Sequence, residues 1–164
     1  MNNLSHSSRW KELFQFVPPV LLRLVVGYGF MEHGFAKLAR GPEAFAAILQ
    51  ALGVPFAHFM AWSTIAVEIL GGLAVLLGAF VVLASLPIAA VLLVALFTVH
   101  ARYGFTSIKL IGVTAAGPRF GPPGIETNLL YLVCLAALVM GGSGPVAIDA
   151  FIKRGNKAKE VSHN

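Results

Sequence analysis

Residues 59–99 read FMAWSTIAVEILGGLAVLLGAFVVLASLPIAAVLLVALFTV, an apolar run in which Glu68 is the only charge. As one helix rising about 1.5 Å per residue it would extend about 60 Å, twice the roughly 30 Å hydrocarbon core of a bilayer. The run must therefore fold back on itself, most naturally near Gly78, which gives helices over 59–77 and 80–100 in a tight antiparallel hairpin. Two more segments, 17–36 and 125–142, come close to the 20 or so apolar residues that a span needs. The pattern predicts an all-α membrane protein: a four-transmembrane-helix antiparallel bundle forming a single domain over 1–164.

Composition agrees. Of the 164 residues 57% are hydrophobic and 12% charged, where soluble domains carry about 25% charged residues. Mean hydropathy is +0.81. The formal charge of +5 is scattered outside the apolar runs and forms no basic stripe, which excludes nucleic acid as a partner. The basic tail 153–164 instead reads as a juxtamembrane segment facing anionic lipid. Cys134 is the single cysteine, so there is neither an intrachain disulfide nor a C-x-x-C pair. The N-terminal apolar run outlasts the 7 to 15 or so residues of a cleavable signal, and so reads as an uncleaved span.

Two connections are long. Residues 38–58 include GPEAFAAILQALGVP, whose apolar spacing predicts a short interfacial amphipathic helix. Residues 101–124 hold five glycines and three prolines without helical periodicity, and read as a lid or a mobile loop. With four spans both termini share one side. Arg9, Lys11, Lys153, Arg154, Lys157 and Lys159 fall there, against Lys37, Arg40, Arg102, Lys109 and Arg119 opposite; six against five, with the densest cluster in the tail, predicts cytoplasmic termini.

The polar residues within the spans are the candidates for function, because a charge at mid-membrane costs about 2.5 to 3.5 kcal/mol on insertion scales. At 100° per residue Arg23, Gly27, Phe30, Gly34 and Lys37 form one stripe, with Glu32 on the opposite side. The glycines turn that stripe into the bundle. Glu68 shares the small-residue face of its helix with Thr64, Gly71 and Gly72. Arg23 is then a deep charge seeking a partner such as Glu68, in an ion pair that fixes helix packing. His33, His100 and Glu126 gather with Glu68 in the outer half of the bundle, where Arg23 and Lys37 balance their charge. Two imidazoles and two carboxylates suit a transition metal, proton carriage or a quinone headgroup, and the residues alone do not choose. No E-x-x-H pair marks a di-iron bundle, and two histidines are a thin case for haem.

RLVVGYGFMEHGFAK (23–37) resembles the first helix of the DoxX family, with Arg23, Gly27, Phe30, His33, Gly34 and Lys37 at that family's positions. The resemblance continues through LGVP (52–55), EILGGLAVLLG (68–78), FTVH (97–100) and GIETNLLYL (124–132), and ends near AIDAF (147–151). It implies a four-helix, multi-pass protein of the bacterial inner membrane, similar to the membrane subunits of thiosulfate:quinone oxidoreductase. Two functional expectations follow. One is a redox-linked subunit with a quinone or metal held by His33, Glu68, His100 and Glu126, beside a partner redox protein. The other is a non-catalytic membrane anchor or assembly factor for a partner oxidoreductase, free to form a homo-oligomer.

Overall fold

The computed structural model describes the backbone of residues 3–162 and the side chains of residues 15–155. The side chains of Arg9, Lys11, Lys157 and Lys159, which enter the topology count, lie outside the described residues. In chain order the elements are α1 (Asn3–Arg40), α2 (Pro42–Ala51), α3 (Ala57–Leu77), α4 (Val81–Tyr103), β1 (Leu110–Thr114), β2 (Gly117–Phe120), α5 (Glu126–Gly141) and α6 (Ile148–Ser162). The chain is therefore mostly helical. The all-α expectation is corrected within residues 101–124, where Leu110–Thr114 and Gly117–Phe120 form an antiparallel two-stranded ribbon.

The expected 17–36 segment is the middle of a 38-residue helix that runs through Pro18 and Pro19. α2 occupies the stretch predicted to be a short helix, with Pro42 in its first turn, where the missing N–H costs nothing. α3 and α4 are each long and apolar enough to cross a membrane. α5 is apolar but shorter, at 16 residues. The basic tail is helical as far as Ser162.

The reversal at Gly78 has a full backbone explanation. Gly78 is left-handed at φ 67, and its N–H bonds to the Val75 carbonyl at 3.0 Å while that of Ala79 bonds to the Ala74 carbonyl at 2.8 Å. This pair of bonds is a Schellman motif, which satisfies the end of α3 and needs a residue without a Cβ penalty at that position. Phe80, at φ 50, then opens α4.

Asp149 completes the turn from a distance in sequence. Its carboxylate accepts bonds from the Phe80 N–H at 2.7 Å and the Val81 N–H at 3.1 Å, which are unsatisfied donors at the start of α4. Asp149→Ala is expected to cost about 1 kcal/mol, the usual loss for a removed helix cap. Thermal unfolding in detergent measures this, and a midpoint unchanged from wild type would rule the cap out as a stabilising contact.

α1 and α3 run antiparallel in close register. A Cβ on Gly27 would stand 2.7 Å from the Gly72 carbonyl oxygen, and one on Gly72 would stand 2.8 Å from the Gly27 oxygen. These glycines let the two backbones touch. The stripe predicted to face inward does so: Arg23, Gly27, Phe30 and Gly34 are buried and Lys37 is half-buried, while Glu32 is exposed. Val75, Ile88, Leu92, Leu135 and Leu138 join Val26 and Phe30 in one apolar cluster fed by α1, α3, α4 and α5.

Arg23 is only 7% exposed, and its partner corrects the expectation of an Arg23–Glu68 pair. Its Nε and Nη2 donate to the Leu76 carbonyl at 3.3 and 3.0 Å, and Nη1 donates to the Ser143 carbonyl at 2.9 Å. Those carbonyls lie where α3 ends and just beyond the end of α5, where acceptors go unpaired and the helix dipole is negative. Arg23 thus clasps two helix ends to α1 through their carbonyls, with no carboxylate bonded to it among the described residues.

Candidate functional site

At the other end of the α1–α3 contact the register places Glu68 against Lys37. The Lys37 ammonium lies 2.7 and 2.6 Å from the two carboxylate oxygens. The Glu68 side chain is 5% exposed and that of Lys37 25%. Lys37 also sits 5.2 Å from the centre of the Phe45 ring, so α2 covers the cation. This pair occupies both faces of the charge problem posed by Glu68: the carboxylate is desolvated, and its counter-ion reaches partly to solvent.

Glu68 lies in a π-helical turn, Val67–Gly71, within α3. His100 closes a second π turn, Leu96–His100, within α4. A π turn inserts one extra residue into a helix and re-aims the side chains it carries, and such turns concentrate at functional sites. Both chemistry-bearing residues of these two helices are thus set by local departures from α geometry.

Phe30, His33, Lys37, Glu68, His100 and Tyr131 line one half-open cavity of about 210 Å³, completed by Asn128, Thr127 and the Pro123–Gly124 loop. Phe30, His33 and Tyr131 meet edge to face, with centroids 5.2 Å apart for Phe30–Tyr131 and 6.3 Å for His33–Tyr131. The His100 Nδ1 lies 3.0 Å from the Pro123 carbonyl oxygen. A carbonyl only accepts, so Nδ1 carries the hydrogen of this bond, and in the tautomer this selects Nε2 is the acceptor. Asn128 is buried and donates to the Leu92 carbonyl at 3.3 Å.

Of the expected site residues, His33, Glu68, His100 and Lys37 share this cavity. Glu126 does not line it: its Oε2 accepts a bond from the Ser107 N–H at 2.9 Å and pins the root of the 101–124 segment. Arg23 belongs to the helix-end clasp. The set His33, His100, Glu68 and Glu126 therefore does not converge as metal ligands, and among the described residues no group of three or more His, Cys, Asp or Glu is arranged to hold a metal ion. The physical reason is plain in the donors: both Glu68 oxygens are taken by an ammonium, and a cation there would be repelled by Lys37.

Tyr131, Asn128 and Thr127 were not among the expected site residues. Asn128, Tyr131, Leu135 and Leu138 recur at the spacing of one helix face. That spacing marks the inward side of α5, whereas the charge of Glu126 draws attention to a different side.

Fold and site together define a small helical membrane protein with a largely apolar cavity, carrying a few polar side chains, near one end of its apolar helices. The DoxX family model matches residues 19–101, half of the chain, and the protein belongs to the DoxX family. Arg23, His33, Lys37, Glu68 and His100 all fall within that match. A curated relative named "Putative oxidoreductase CatD", from Bacillus subtilis (strain 168), is 28% identical over 143 residues, covering 87% of this chain and 92% of its own. No solved structure matches the chain.

Proposed function

We propose that this protein is a multi-pass subunit of a redox system in the bacterial inner membrane, with four spans, cytoplasmic termini and a quinone headgroup as the ligand of its cavity. The observation that carries the proposal is the cavity's hydrogen-bonding pattern. Among the described residues His33 and Tyr131 have no hydrogen-bond partner, and His100 presents an acceptor nitrogen. His33 offers a donor to a carbonyl oxygen of an oxidised ring, His100 accepts from the hydroxyl of a reduced one, and Tyr131, whose hydroxyl end packs against Gly29, adds ring surface. Phe30 supplies an apolar ring edge. At about 210 Å³ the cavity is smaller than the roughly 300 to 1,000 Å³ of sites for drug-sized ligands, which suits one ring with its tail outside. A bound quinone supplies two-electron redox chemistry; the chain's own residues bind the ring, orient it and keep Glu68 paired. The name of the Bacillus relative supports an oxidoreductase role.

The spanning arrangement draws support from the two long apolar helices and from the helices packed beside them. The test is to purify the protein in mild detergent and quantify extractable quinone, metal content and visible absorbance. Quinone is expected at close to one per chain, falling at least tenfold in His33→Ala plus His100→Ala, since each lost hydrogen bond is worth about 1 kcal/mol. Quinone-free protein, together with unchanged quinone reduction in membranes carrying the double variant, would remove the proposal.

A second reading, a non-catalytic anchor or assembly factor for a partner oxidoreductase, draws on the commitment of Arg23, Glu68 and Glu126 to structural contacts. It requires a partner that co-purifies with a quinone-free protein and is lost when the 101–124 segment or the tail is replaced.

A further inference from the structure

The ribbon in residues 101–124 is built differently from the rest of the molecule. β1 and β2 pair Leu110 with Phe120 and Val113 with Pro118, and they pack extensively only on each other. Phe105, Ile108, Leu110, Ile111, Val113 and Phe120 are each at least 57% exposed. A lone two-stranded hairpin is marginal in water, so it needs a third surface. The root of this one is nonetheless firmly tied: the Glu126 carboxylate holds the Ser107 N–H, the Ser107 hydroxyl bonds Thr127, and the Gly124 N–H reaches the Thr106 carbonyl. Gly124 is packed against the Gly104 carbonyl with no room for a Cβ. A rigid root and a bare apolar blade do not describe a mobile lid.

Two features identify the covering surface. Residues 101–125 contain Arg102, Lys109 and Arg119 and no acidic residue. The ribbon also leaves and rejoins the bundle at the adjacent ends of α4 and α5, so that its root sits where the apolar helices stop. We propose that the 104–124 ribbon is an interfacial blade that inserts its apolar residues among the lipids at that end of the protein, with Arg119 against anionic headgroups while Lys109 bonds the Tyr103 carbonyl at the root. The blade rests on the membrane-spanning reading and is independent of what fills the cavity.

The full chain in lipid nanodiscs provides the test. Nitroxide labels at Ile111→Cys, Val113→Cys and Phe120→Cys, one at a time in a Cys134→Ala background, are compared with a label at Val94→Cys on α4. Collision with oxygen is expected to exceed collision with a water-soluble nickel chelate several-fold at all four positions. For the unlabelled wild type, tryptic cleavage after Lys109 and Arg119 is expected to be about tenfold slower in anionic than in zwitterionic nanodiscs. Nickel dominance on the ribbon with oxygen dominance at Val94 overturns the blade alone. Shielding of the ribbon from both reagents overturns it in favour of a protein cover, either a partner or a second copy. Nickel dominance at Val94 removes the spanning reading and the blade with it. Equal tryptic rates in the two lipids overturn the headgroup contact without relying on any variant.

Discussion

Lys37→Met is expected to lower the unfolding free energy by about 3 kcal/mol, because it leaves the Glu68 carboxylate buried without a counter-ion. The reverse substitution is milder. In Glu68→Gln the amide still accepts from Lys37, and the Lys37 side chain, 25% exposed, reaches solvent past Phe45, so the expected loss is about 1 kcal/mol. Removing both charges together, as Lys37→Met with Glu68→Leu, is expected to recover most of the loss, since apolar replacements of a buried pair are often neutral. Denaturant unfolding in detergent micelles of the wild type, Lys37→Met, Glu68→Leu and the Lys37→Met/Glu68→Leu double variant closes the double-mutant cycle, with Glu68→Gln measured alongside. A double variant whose loss equals the sum of the two singles would show that the pair is not coupled.

The asymmetry follows from the register of α1 on α3, which also shows how far the sequence could be read. The inward stripe of α1, the exposure of Glu32 and the reversal at Gly78 follow from helical angles and composition, and each appears in the structure as expected. The partner of Arg23 does not. Gly27 on Gly72 sets the antiparallel register, which brings residue 76 opposite Arg23 and residue 68 opposite Gly34 and Lys37. Arg23 and Lys37 are 14 residues apart, about 21 Å along a helix, so one carboxylate cannot serve both. Matching the glycines of the two helices before pairing the charges would have shown this. Charge attraction alone gave the wrong partner, because the orphan carbonyls that Arg23 satisfies carry no signature in the sequence.

The cavity was legible in part for the same reason. His33, Lys37, Glu68 and His100 stand out as polar residues in apolar helices, while Tyr131 and Asn128 look ordinary until the inward face of α5 is traced. The two π turns are invisible to a pattern search that assumes one period per helix. The ribbon was missed because its two-residue turn, Ala115–Ala116, lacks the Asn-Gly or Asp-Gly signal of the common hairpins. Neither alanine takes a positive φ, and the left-handed residue is instead Gly117, at φ 116. A segment with eight glycines and prolines in 24 residues otherwise reads as a loop.

Gly72→Leu is expected to prevent α3 from docking on α1, and Gly72→Ala to cost about 2 to 3 kcal/mol, the upper range for overpacking a filled core. The neighbouring Gly71→Ala is expected to be close to neutral. A Cβ on Gly72 meets backbone atoms, the Gly27 oxygen at 2.8 Å and the Met31 nitrogen at 3.0 Å, whereas one on Gly71 meets the Ile88 side chain at 3.1 Å. Backbone in a helix cannot step aside, but the end of an isoleucine can. The alanine also gains up to about 1 kcal/mol of helix propensity over glycine, enough to offset the small shift at position 71 but not the helix separation at position 72. Thermal midpoints in detergent separate the two variants, and equal losses would contradict the register. Separation at Gly72 acts one turn from Glu68, so the same substitution is expected to lengthen the Lys37–Glu68 contact and to weaken the quinone binding proposed for the cavity, while Gly71→Ala leaves both intact. A stability loss at position 72 without any change in the quinone content of the folded fraction would show that helix contact and cavity are independent.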